Sequence, residues 1–277
     1  MRESDEDKFS KLSAKEGARR EKNPVIAPQC LALIARDSLQ DGPDRFNQRQ
    51  RGFWPFFPEI AYEANRHDAD VLMFSSSSHN ESSLDELSRK HLFPRGTKHS
   101  TVILGVTRLD GEELVEDIEV WHQAHRSPSR LRQYFAKASH PRAQKESLIE
   151  NLLRRRFGHT MLLLCGEVNI VKTQRGKGDI VDDLHFRSRL RDLGINLVLN
   201  PSHTYMHRYE MAFKRQAISR PGRYLISVWN RGDPKKGTES KVPWIAYRNG
   251  KNITAEIKEI PLPEQLRYGI RMGVIRL

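Results

Sequence analysis

Met161-Leu162-Leu163-Leu164-Cys165-Gly166-Glu167 is an apolar run that stops on a cysteine followed at once by glycine. Such a run reads as a buried strand that delivers a small nucleophile to its C-terminal end. Gly166 lets the backbone turn sharply there, so that the sulfur and the next amide N–H face one cleft. That is how a cysteine hydrolase would be built. Free cysteine is also among the most buried residue types, so a plain core thiol is the competing interpretation of Cys165.

Working outward, the chain has 277 residues, 37% hydrophobic and 30% charged, enough apolar material for a substantial core. No apolar run approaches the roughly 18 residues that span a bilayer, and the charged start, Met1 to Asn23, lacks the apolar stretch of a secretory signal. Cys30 and Cys165, far apart, make no disulfide framework, and a cytoplasmic setting that keeps Cys165 a thiol is expected. The 47 Lys+Arg against 35 Asp+Glu give a net charge of +12, which favours anionic partners. Those basic residues are scattered and belong to no helix-turn-helix, zinc-finger or RNP pattern, so nucleic acid is a partner of second rank.

Residues 1–24 read as a charged, flexible arm and residues 25–277 as one domain. Val25 to Arg36 predicts a first core strand with pairing after Pro28. A helix over Pro58 to Arg66 and strands over Asp70 to Phe74 and Thr101 to Val106 follow. Asp110-Gly111 predicts a hairpin into Leu114–Trp121. Residues 122–147 predict a long irregular stretch, and Leu148 to Arg156 a short helix. Further helices are expected over Phe186 to Leu193, closed by Gly194, and Tyr209 to Ser219, with Met211, Ala212, Arg215 and Ser219 on one side. Strands are expected over Ile195 to Leu199, broken by Asn200-Pro201, and over Tyr224 to Trp229. Trp244 to Tyr247 and Ile253 to Ile260 predict a closing hairpin around Arg248-Asn249-Gly250-Lys251. Alternating strands and helices, with hairpins between, predict a layered α/β sandwich with a mixed sheet or two sheets.

Several of these segments, in order, resemble the nitrilase superfamily of carbon–nitrogen hydrolases. The Cys165 segment is similar to the family's strand-Cys-any-acid motif. Gly194 to Ser202 is similar to the next core strand, and Arg215 to Asn230 to the helix-to-strand segment that ends in Asn. Lys241 through the Asn249-Gly250 turn resembles the last hairpin, and Ile60 to Phe74 and Val102 to Gly111 the first units. The resemblance covers most of residues 25–265 and is strongest from 158 to 230. It implies a four-layer α-β-β-α sandwich, assembly as a homo-oligomer, a small-molecule amide or nitrile substrate, and no cofactor.

The resemblance also implies a Glu–Lys–Cys triad. Cysteine attacks the amide or nitrile carbon, glutamate is the general base, and lysine with the amide after the cysteine holds the developing charge. Cys165 takes the nucleophile position. Leu131 to Pro141 resembles the lysine-bearing stretch, which makes Lys137 the candidate. The glutamate position fails: Val71 to Phe74 is followed by Ser75-Ser76, and serine is no general base unaided. Glu81, later in the same loop, is the candidate rescue, whereas Phe57-Pro58-Glu59 lies on the wrong side of its unit. Gly166, Glu167, His203 and Tyr205 are candidate substrate-binding residues, with Glu167 also suited to pairing with an arginine. His203 and His207 have a zinc-compatible spacing but no acidic partner to make a metal site.

Overall fold

The computed structural model describes residues 23–36, 56–76, 79–80, 89–110, 113–135, 137, 139–174, 179–204, 209–230, 242–263 and 270–277. Two sheets carry the architecture. In the first, β15 (Lys258–Ile260), β16 (Ile270–Arg276), β1 (Cys30–Arg36), β2 (Val71–Phe74), β4 (Thr101–Asp110), β5 (Glu113–His122) and β6 (Ser129–Arg132) lie in that order, and β3 (His79–Asn80) pairs with β4. In the second the order is β14 (Lys251–Asn252), β13 (Trp244–Arg248), β12 (Tyr224–Asn230), β11 (Leu197–Thr204), β8 (Thr160–Leu162) and β7 (Arg156–Phe157). A small ribbon pairs β9 (Lys172–Thr173) with β10 (Ile180–Val181).

The layering follows from alternation along the strands. Successive side chains point to opposite faces, and β1 is apolar on both. Leu31, Leu33 and Ala35 join Val71 and Met73 of β2 in a core shared with Leu162, Leu164, Leu197 and Leu199 of the second sheet. Their neighbours Ala32, Ile34, Leu72 and Phe74 face the other way, against Phe57, Ile60, Ala61 and Ala64 of α1 (Phe57–Arg66) and Leu92 of α2 (Arg89–Leu92). On the far side, Met161, Leu163 and Val198 pack on α3 (Arg142–Glu150), α4 (Phe186–Asp192) and α5 (Tyr209–Ile218) through Leu148, Phe186, Leu190, Met211 and Ile218. Helix, sheet, sheet, helix is therefore the order of layers, as the resemblance implies. Each fully buried Leu or Ile adds about 1.5–3 kcal/mol.

Several expectations need correction. Strand β11 does not break at Asn200-Pro201 but runs to Thr204, with its pairing to β12 shifted between Pro201 and Thr204. A bulge accommodates a proline that cannot donate to the ladder. The stretch 122–147 holds β6 and the start of α3, so it is more ordered than its composition suggests. The closing hairpin stops at β14. After it β15 crosses to the first sheet and pairs with β16, a strand that the sequence pattern missed and that runs antiparallel to β1 over its whole length. On α5, Ala212 is exposed, because the buried side is filled by Met211, Lys214, Arg215 and Ile218. The Asn249-Gly250 turn is as expected, with φ of +47° and +77°, the left-handed pair that a two-residue hairpin turn requires. The arm of residues 1–24 lies outside the described residues except at its end, where Asn23 donates to the carbonyls of Arg154 and Arg156.

Candidate active site

Strands β8 and β11 run parallel, Leu162 opposite Leu199, and Leu163 N–H still donates to Leu199 O at 3.0 Å. Just beyond, the chain winds into a 3-10 turn, Cys165–Ile170. Cys165 opens that turn with φ of +31°, and it is partly exposed. The left-handed conformation thus falls on the cysteine, whereas the sequence suggests that Gly166 makes the bend. The other described non-glycine residues with positive φ are Asp68, His185 and Asn249, types that tolerate this region. Cysteine does not, and such strain costs on the order of 1–3 kcal/mol and collects at functional sites.

Glu167 holds the turn in place. It is wholly buried. Its Oε2 accepts from Leu164 N–H and from Arg155 Nη1, both at 2.8 Å, and its Oε1 from Tyr134 N–H at 2.8 Å and Arg155 Nη2 at 2.9 Å. Burial pushes this carboxyl up, and the Arg155 guanidinium with the two amides pulls it back. Of its two expected roles, substrate orientation and an arginine pair, the structure shows the second. Arg155 also lies over the Tyr134 ring at 5.0 Å and donates to Arg132 O. The segment that leads to Lys137 is thereby clamped to the cysteine turn, while Lys137 itself is exposed. A buried lysine that the sequence did not single out, Lys214 of α5, donates to Asn169 Oδ1 at 2.7 Å in the same 3-10 turn.

A second set of polar groups joins the C-terminal ends of β2, β11 and β12. Asn200 Nδ2 donates to Leu163 O and Cys165 O at 2.9 and 3.1 Å, and its Oδ1 accepts from Ser202 and Ser227. Ser202 O accepts from Ser76 N–H at 3.0 Å. Ser75 Oγ donates to Asn230 Oδ1, and Asn230 Nδ2 donates to Ser76 O. The serines that replace an expected glutamate are both buried. Gly105 of β4 lets them lie there, since a Cβ on it would sit 2.3 Å from Ser76 Cα.

Ser76 Oγ in turn donates to Glu116 Oε2 at 3.0 Å. Glu116, on β5, is about one-fifth exposed, and its Oε1 lies 3.9 Å from Nδ1 of the similarly exposed His203. Gln133 N–H donates to Glu116 O at 3.2 Å, one residue before the Tyr134 amide that binds Glu167. Gln133 Nε2 is buried with no hydrogen-bond acceptor among the described residues. Cys165, Glu167, Tyr134, Gln133, Glu116, Ser76, Ser202 and Asn200 thus form a closed ring of contacts.

Of the residues expected at the site, the structure brings together Cys165, Gly166, Glu167 and His203; Glu81 and Tyr205 lie outside the described residues. Glu116 was missed. The signal available was its place on a strand predicted to follow the Asp110-Gly111 turn, next to the strand that faces the serine run. Its neighbours on β5 are used otherwise: Asp117 pairs with Arg108 at 2.5 Å and Glu119 with Arg130 at 2.7 Å. Among the described residues no group of three His, Cys, Asp or Glu could hold a metal ion, and no helix is long and apolar enough to cross a membrane.

No protein-family model and no curated protein matches the chain. Solved structures do. An amidase of the nitrilase superfamily from Nesterenkonia AN1 is similar at a TM-score of 0.48 and 11% identity, over 93% of this chain and 92% of that one. Saccharomyces cerevisiae Nit3, a member of branch 10 of the nitrilase superfamily, is similar at 0.47 and 12%, over 90% of each chain. A CN-hydrolase superfamily protein from Xanthomonas campestris, with an arsenic adduct in its active site, is similar at 0.47 and 9%, over 90% and 91%.

Proposed function

We propose that this protein is a carbon–nitrogen hydrolase that opens an amide or nitrile through a covalent intermediate on Cys165. The observation that carries the reading is the left-handed, partly exposed Cys165 just past the end of a parallel strand. The sulfur attacks the substrate carbon. An amide then loses its nitrogen as amine or ammonia, whereas a nitrile gives a thioimidate that adds one water before ammonia leaves. A further water releases the acid from the thioester. Amides next to a turned cysteine are placed to hold the oxyanion. Lys137 is the lysine that sequence order assigns to charge stabilisation, and the Arg155–Glu167 clamp on Tyr134 supports its segment being near. Assembly as a homo-oligomer and a cytoplasmic location belong to the same proposal.

The test is release of ammonia from a panel of small aliphatic and aromatic amides and nitriles. Activity that disappears in Cys165→Ala, with the fold intact by circular dichroism, supports the reading. Equal rates for the two proteins would reject it. A second reading, a non-catalytic binder of anions, is favoured by one observation: a cavity of about 150 Å³ lined by His140, Arg142, Lys145 and Lys172 with Asp183. Lys172 is already paired with Asp183 at 2.6 Å there. Salt-dependent binding of RNA or DNA, with Cys165 irrelevant to it, is the outcome that would put this reading first.

A further inference from the structure

We infer that Glu116 is the general base of the Cys165 site, supplying from β5 the carboxylate that the end of β2 lacks. The inference rests on the hydrolase reading above. Ser75 and Ser76 stand where a base would be expected, and neither can take a proton at neutral pH unaided. Ser76 instead holds Glu116 through its hydroxyl at 3.0 Å. Gly105 makes this possible, because any side chain there would push Ser76 away from β4 and so from its neighbour β5.

Two separate paths link Glu116 to the cysteine turn. One runs from its carboxylate through Ser76, Ser202 and Asn200 to Cys165 O. The other runs from its main chain through Gln133 and Tyr134 to Glu167, two residues from Cys165. Of the two carboxylates on this ring, Glu167 is wholly enclosed, with both oxygens engaged by Arg155 and by main-chain amides, and reaches no substrate. Glu116 is open to solvent over about a fifth of its side chain, which leaves it accessible to water and to a small amide.

The steps balance as follows. Glu116 takes the Cys165 thiol proton as the sulfur bonds to the amide carbon. The proton passes to the nitrogen as the C–N bond breaks and the amine leaves. Glu116 then takes a proton from water, whose oxygen attacks the thioester carbon. The C–S bond breaks, and the proton returns to the sulfur. His203 Nδ1 lies 3.9 Å from Glu116 Oε1 and takes no part in these steps.

The experiment uses the full chain with p-nitrophenyl acetate, whose leaving group needs no proton. The wild type should acetylate at Cys165 and turn over. Glu116→Gln, assayed at alkaline pH where the thiol ionises without a base, should release one nitrophenolate per site and then stall, with deacylation down about 10²–10⁴-fold. Acetyl-Cys165 should then be visible by peptide mass spectrometry. Because a structural role could also slow turnover, Glu116→Ala is tested with added formate: recovery of deacylation marks a lost base, and a purely packing role would give none. Turnover by folded Glu116→Gln at the wild-type rate overturns the assignment and leaves the hydrolase reading standing. Nitrophenolate release that persists unchanged in folded Cys165→Ala overturns both.

Discussion

Two glutamates stand on the ring of contacts that includes Cys165, and their surroundings could hardly differ more. Glu167 has no exposure and four hydrogen bonds, two of them from Arg155. Glu116 sits at the open edge, held by Ser76 and neighboured by His203. A buried charge needs every oxygen satisfied, and a group so satisfied is spent on structure. A carboxylate that is to exchange protons with substrate and water needs one side left accessible. The contrast separates the residue that shapes the turn from the residue that can take part in chemistry.

The sharpest way to break this contrast is to remove each charge in turn. Glu167→Gln leaves Arg155 as an uncompensated buried cation, and denaturant unfolding should show a loss of about 3–5 kcal/mol. Glu116→Gln keeps an oxygen for Ser76 to donate to and should cost no more than about 1 kcal/mol in the same measurement. Comparable losses in both would mean that Glu116 is also a structural brace. A smaller effect comes from Ser76→Ala, which removes the hydroxyl that aims Glu116. It should cost about 0.5–1.5 kcal/mol of stability and lower kcat with little change in KM, by less than loss of Glu116 itself. If Ser76→Ala and Glu116→Gln slowed the reaction equally, the serine would be more than a positioning group.

Much of this arrangement was legible in the sequence, and the reasons for the rest are physical. The four-layer order came only from the resemblance, but the apolar strands around Leu31, Leu72, Leu162 and Val198, alternating with helices, announce a layered α/β sandwich with a mixed sheet or two sheets. The cysteine at a strand end was legible for the same reason. Strand β16 was not, since Ile270–Arg276 pairs with β1 from the far end of the chain and carries basic residues at positions 271 and 276 that mask its period. Nor was Glu116, because β5 is rich in acids and only three-dimensional register sets its carboxylate against Ser76 rather than against an arginine. The placement of positive φ on Cys165 and not on Gly166 was equally hidden, for it depends on the Glu167 brace that closes the turn from behind.

The most direct test compares the two thiols of the native protein. Cys30 is 2% exposed, donates to His67 O at 3.3 Å, and has its thiol pushed up by burial, so it reports what a core cysteine does. On iodoacetamide treatment at neutral pH, followed by peptide mass spectrometry, Cys165 should be alkylated well before Cys30, since reactivity follows exposure and thiolate character. If Cys165 remained unmodified until the protein was unfolded, as Cys30 should, it would be a core thiol and the account would be wrong.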